Sequence, residues 1–222
     1  MATRILTLYL AALLYFGSIG PLHSHIPDEK PTQDTSIIKL LKYCKSAGYP
    51  TQYDKLIRKA VRKHWPLDWQ AHHCRYRAQL AKESSLNALH CNKANSAGAK
   101  CLAQLLPGTA TQVEKATGLR GTRSNTSAAI YGGAWYMSWQ GKGWLRTGRS
   151  AVCRIELALM GYISGRGHIY RAQKLAQQEG LLAMCYEEIS TYLNQVVSSR
   201  SARDIREYIT TIRQLSLLME AR

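Results

Sequence analysis

The 222-residue chain (24.9 kDa) carries 30 Lys and Arg against 14 Asp and Glu, a formal charge of +16, which excludes an acidic solubilising tail and a carboxylate-dense calcium protein. With 45% apolar and 20% charged residues it can build a packed core, which a disordered chain cannot. The length suits one domain with at most an appendage. The cations are interspersed from Lys39 to Arg222 rather than gathered in a block. A solvated basic surface is therefore the simpler reading than a nucleic-acid stripe, since the same field attracts nucleic acid, anionic membranes and anionic wall polymers alike.

At the N-terminus, Arg4 precedes an apolar run from Ile5 to Ile19 that Gly20-Pro21 breaks. This is the layout of a secretory signal, residues 1–24, with cleavage after Ser24. Leu22 is an imperfect fit to a small-residue cleavage site, so an uncleaved membrane anchor is the alternative, although a spanning helix wants about 20 apolar residues. Export places the protein in the periplasm or outside the cell. The six cysteines (44, 74, 91, 101, 153 and 185) agree, because an even count in an exported chain favours disulfides. No C-x-x-C spacing occurs, and the adjacent His72, His73 and Cys74 cannot readily converge on one ion, so no metal or cofactor is expected. Of the 15 possible pairings of six cysteines, Cys91 with Cys101 is the local candidate.

The remainder reads as helical, with no alternation sustained enough for a sheet. Residues 25–52 form a proline-containing linker and a helix that Ser36 caps and Gly48-Tyr49-Pro50 ends. A second helix runs from about Gln52 to His64. In the third, Leu67, Ala71, Cys74, Ala78 and Ala81 make one apolar stripe, while Trp69, Tyr76 and Glu83, with Leu80 beside them, share a second face. Apolar residues on two sides mark a central helix. Glu83, at its end on the aromatic face, is then desolvated, with a raised pKa that suits a proton donor, or else it merely caps the turn at Ser84 and Ser85. Residues 92–108 are a loop rich in small residues. Helices follow around Tyr131–Met137 and Val152–Tyr162, separated by a basic glycine-rich loop that carries Trp144, and two amphipathic helices are expected from Leu175 onward.

The sequence has no G-x-S-x-G, P-loop or HExxH motif. It does contain AKESSLN (81–87), then NSAGAKCLAQLLPGTA (95–110), YGGAWYM (131–137) and ALMGYISGRGHI (158–169), in that order. These resemble the Glu-Ser motif, the G-L-M-Q-L-M-P-x-T-A motif, the intervening helix and the A-Y-N-A-G-x-G segment of the soluble lytic transglycosylases. The resemblance covers residues 53–171 and leaves 172–222 as a C-terminal helical extension. It implies a mainly α, lysozyme-like domain with a saccharide cleft, acting on peptidoglycan glycan strands at the N-acetylmuramic acid–β-1,4–N-acetylglucosamine bond. By the same resemblance Glu83 is the catalytic acid and base, Gln104 and Tyr162 line the cleft, and Ser84 stands beside the catalytic residue as a substrate contact. Trp144, in its loop, is the expected stacking aromatic.

The carboxylate count is an independent argument. Ordinary glycosidases use two, yet between Trp65 and Arg171 the acids are Asp68, Glu83, Glu114 and Glu156, and only Glu83 sits in a motif. A hydrolase would need a partner such as Glu156. Four positions depart from the family pattern: Cys101 for glycine, Ala103 for methionine, Ala129 and Ile163 for asparagine. They suggest altered subsites, with Ala103 widening the cleft, and they motivate a wall-binding protein of weak activity as a second reading. A basic nucleic-acid binder is the third, opposed by the export signal. The expected protein is a monomer with no nucleic-acid partner, free to associate with a membrane surface or a wall-spanning assembly.

Overall fold

The computed structural model describes residues 44–65, 69–144 and 148–220, all within the unit that spans 39–222. The expected signal, the linker and the helix capped by Ser36 lie outside these residues. As the sequence implies, the architecture is mainly α: among the described residues the sole β feature is an antiparallel bridge between Lys100 and Leu105.

Helix α1 (Asp54–His64) opens on an acid and closes on Arg62, Lys63 and His64, charges that complement its dipole, and buries Ile57, Ala60 and Val61. Helix α2 (Trp69–Ser84) is enclosed on nearly all sides. Cys74, Tyr76, Ala78, Leu80 and Ala81 are buried, and so are the polar His72, His73, Arg77 and Gln79. The two apolar faces in its sequence mark this central position. Arg77 shows how a buried cation is accommodated: its guanidinium pairs with Asp54 at 2.7 Å and donates to the carbonyls of Ser46, Tyr49 and Pro50.

A 3₁₀ turn (Ala88–Cys91) leads through the 92–106 loop to α3 (Pro107–Thr117), which starts on proline and ends at Gly118 in the left-handed region. Helix α4 (Thr126–Lys142) is capped by Asn125, whose side chain accepts from the Ala128 N–H. Its Gly133 is a close-approach position, because a Cβ there would stand 2.7 Å from the Cβ of Ala103 and 2.6 Å from the Tyr76 hydroxyl. Helix α5 (Ala151–Ser164), capped by Ser150, is followed across Gly165 (φ +81°) by α6 (Arg166–Gln178).

The tail differs from the sequence expectation. Leu175 belongs to α6, Gly180 (φ +83°) stands just beyond that helix, and the short helices α7 (Tyr186–Ser190) and α8 (Leu193–Val196) precede one long helix, α9 (Ser199–Glu220). Ala202, Ile205, Tyr208, Ile209, Ile212 and Met219 form the buried stripe of α9, which packs along α2. The extension is thus part of the core.

Disulfides join Cys44 to Cys74, Cys91 to Cys101, and Cys153 to Cys185. Each restricts the unfolded chain, an effect of typically about 2–4 kcal/mol. No helix among the described residues is long and apolar enough to cross a membrane.

Candidate active site

Glu83 is the penultimate residue of α2, and the chain leaves that helix abruptly: Ser85 and Leu86 both have positive φ, 53° and 54°. The loop opposite carries two more non-glycine residues in this region, Cys101 (66°) and Gln104 (46°). Left-handed backbone is disfavoured for side-chain-bearing residues by roughly 1–2 kcal/mol. Its concentration on the two segments that face each other around one carboxyl marks a built site. Cys101, where the resemblance has glycine, is held in that conformation by its bond to Cys91. Buried Ser84 joins the two segments, its hydroxyl lying 3.1 Å from the Leu80 carbonyl and 3.0 Å from that of Leu102.

Between them lies a cleft of about 340 Å³, walled by Glu83, Asn95, Gln104, Leu106, Tyr136, Tyr162 and Ile163, among others. Glu83 is its acidic side chain. Gln104 is fixed by donating to the Cys101 carbonyl at 2.7 Å while its oxygen accepts from Asn95 at 3.2 Å. Tyr162 donates to the Ala103 carbonyl at 2.5 Å, and Tyr76 to the Ile130 carbonyl at 2.6 Å.

The carboxylate of Glu83 accepts a 2.5 Å hydrogen bond from Tyr208 on α9. Burial pushes the Glu83 pKa up from 4.5 to about 7, opposed in part by the Tyr208 hydrogen bond and by the charge of Lys82. Burial and the neighbouring Glu83 in turn hold the phenols of Tyr76, Tyr162 and Tyr208 well above their ordinary range. The arrangement is one carboxyl, ringed by phenols, that exchanges its proton near neutral pH.

Three expectations need correction. Trp144 does not line the cleft: it is 1% exposed, its ring set against Tyr170 with Arg149 over it, because the glycines around it allow the indole to turn inward. Tyr136 is the aromatic residue of α4 that lines the cleft wall, beside stacked Trp135 and Trp139. Ser84 is no substrate contact, since its buried hydroxyl serves the backbone. Ala103 does not widen the cleft either. It is fully buried against Gly133, where a longer side chain would collide with α4.

Of the other carboxylates between Trp65 and Arg171, Asp68 lies outside the described residues and the remaining two are committed elsewhere. Glu156 accepts from Arg75 at 3.1 Å and from Arg213 at 2.7 Å on each oxygen, and Glu114 accepts from the backbone and hydroxyl of Thr122. Among the described residues the cluster with metal-ligand spacing is Cys44, His73 and Cys74, whose two sulfurs are bonded to each other. Tyr208 is the site residue that sequence reasoning missed. The available signal was a phenol within the aliphatic stripe of Ile205, Ile212 and Leu215, since a buried tyrosine hydroxyl needs a partner.

The described residues thus form a mainly α domain in which one carboxyl, that of Glu83, lines a cleft of about 340 Å³. Residues 77–184 match the family model of the Transglycosylase SLT domain, a family of glycan-cleaving enzymes. Glu83, Gln104 and Tyr162 fall inside the matched segment, and Tyr208 outside it. No curated protein matches the chain significantly.

Proposed function

We propose that the protein is an exported peptidoglycan lytic transglycosylase in which Glu83 acts alone as acid and base. The observation that carries this reading is the carboxyl itself: isolated from other acids in the cleft and shifted to about 7 by burial, it is populated in both protonation states near neutral pH.

In the first half-reaction the Glu83 carboxylic acid gives its proton to the glycosidic oxygen. The C1–O bond of the N-acetylmuramic acid breaks, the N-acetylglucosamine side departs as an alcohol, and positive charge develops at C1. In the second, the Glu83 carboxylate takes the proton of the muramoyl C6 hydroxyl as that oxygen bonds to C1. The product ends in a 1,6-anhydro ring, no water is consumed, and Glu83 is again an acid. Tyr208 keeps one carboxylate oxygen fixed, so that the other carries the proton. Gln104 and Tyr162 shape the walls against which the sugars lie, and the basic surface suits the anionic groups of the wall.

A lysozyme-type hydrolase would need a second carboxylate to activate water, and the ion pairs that engage Glu156 count against the sequence's own candidate for that role. Mass spectrometry of digested peptidoglycan tests the proposal. The mature protein should leave 1,6-anhydromuramoyl ends and Glu83→Gln none, whereas reducing ends would refute it in favour of hydrolysis, and intact glycan bound by a folded protein would favour a wall-binding role.

A further inference from the structure

Ile163 stands where the resembling family has asparagine. It is 40% exposed and is shared by two cavities: the cleft of Glu83 and a second groove of about 420 Å³. The second groove is built by four segments: the C-terminal end of α5, His168 of α6, the Val197-Ser198 link, and Ser201 and Asp204 in the first turns of α9. The last two segments lie outside the matched family domain.

The two linings differ in chemistry. The Glu83 cleft offers the rings of Tyr136 and Tyr162, which suit flat sugar faces. The second groove has no Trp, Tyr or Phe. It presents aliphatic walls at Ile163 and Val197, the hydroxyls of Ser198 and Ser201, and an exposed carboxylate at Asp204. At the His168 wall Arg171 donates to the imidazole Nδ1 at 2.8 Å, so a cation stands beside that wall of the groove. Small aliphatic walls, hydroxyls for amide groups and opposed charges are what a short zwitterionic peptide of small residues requires.

Taking peptidoglycan as the substrate of the Glu83 cleft, we propose that the groove beyond Ile163 receives the peptide branch carried by the muramic acid, so that this chain reads the peptide as well as the glycan. The branch leaves the muramoyl ring next to the scissile bond, and the adjoining cavity gives it a path out over Ile163. There Asp204 faces the free ammonium of the branch's diamino acid, while Arg171 is placed for its carboxylates.

Two measurements test this. In the first, cleavage of peptide-bearing glycan strands is compared with cleavage of the same strands stripped by an amidase, using the full chain and its Ser201→Trp and Asp204→Lys variants, both at exposed positions. The expected loss of kcat/KM is roughly fivefold or more on peptide-bearing strands and under about twofold on stripped strands. Equal loss on both substrates, or no loss on either, would overturn the assignment. In the second, ¹⁵N-labelled protein is titrated with the synthetic tripeptide L-alanyl-γ-D-glutamyl-meso-diaminopimelate. Amide shifts at Ser198, Ser201 and Asp204 that the Ser201→Trp variant abolishes are expected, and their absence would sink the proposal. The titration needs no cleavage, so a chain that cut neither substrate yet showed these shifts would keep the groove and lose the reaction.

Discussion

Two glutamates show how one helical core treats the same side chain in opposite ways. Glu156, on α5, is 3% exposed and accepts from two guanidiniums, those of Arg75 on α2 and Arg213 on α9. Glu83 is half-buried and accepts from a neutral phenol. A carboxylate between two cations ties three helices together. A carboxyl with a single neutral donor stays near the balance point between its charged and uncharged forms. Burial alone therefore does not mark a catalytic group; the identity of the hydrogen-bond donor decides.

Removing the two carboxylates separately should give opposite results. Glu83→Gln is expected to lower glycan cleavage by more than about a hundredfold, the usual range for losing a general acid, with the circular dichroism of the folded protein retained. Glu156→Gln should leave the cleavage products unchanged and cost about 2–3 kcal/mol of stability, because two partly exposed arginines lose their shared partner. Cleavage abolished by Glu156→Gln in a protein that still melts cooperatively would break the comparison and revive a two-carboxylate mechanism.

The pH dependence of stability separates them further. The folded-state pKa of Glu83, about 7, lies above its ordinary 4.5, so the folded protein holds a proton that the unfolded chain has released between those values. Its contribution is therefore full below pH 4.5 and is lost as pH rises to 7, amounting to about 3 kcal/mol. Glu83→Gln has no such penalty. Above pH 7 the variant should be the more stable protein in thermal melts, and equal slopes of stability against pH in both proteins would contradict the burial of a titrating carboxyl.

Tyr208 sharpens the contrast because it supplies the neutral donor. Its hydrogen bond favours the carboxylate, so Tyr208→Phe should raise the Glu83 pKa beyond about 7 and move the alkaline limb of the pH–rate profile upward. The rate should also fall about five- to tenfold as the carboxyl loses its fixed orientation. A change in α9 docking alone would lower activity without moving the limb. The groups facing Glu83 that could mask the shift are Lys82, Tyr76 and Tyr162.

The same contrast explains what could be read from the chain. Glu83, Gln104 and Tyr162 sit in short motifs that resemble those of the soluble lytic transglycosylases, and it is that resemblance which made their place on the cleft wall legible. Tyr208 lies 125 residues from Glu83, and its approach is fixed by packing of α9 on α2, which no local pattern records. Trp144 failed for the converse reason: a tryptophan between glycines in a basic loop has the composition of an exposed residue, but the loop folds the indole inward. At Ser84 the motif identified the position, while the use of the hydroxyl depended on where the Leu102 carbonyl arrives.

The smallest expected effect concerns the loop opposite Glu83. Cys101 has φ +66°, a conformation that glycine adopts freely, and the Cys91 bond restrains it there. Replacing the pair by Cys91→Ser with Cys101→Gly removes the cross-link but restores the residue suited to that backbone. Cys91→Ser with Cys101→Ala removes the cross-link and keeps a Cβ. If left-handed geometry is what the disulfide maintains, the glycine pair should be more stable than the alanine pair by about 1 kcal/mol. Its Gln104 should also remain in the cleft, since the carbonyl to which Gln104 donates belongs to residue 101. Chemical denaturation of both variants measures the difference, and equal stability would show that the disulfide acts on the unfolded chain alone.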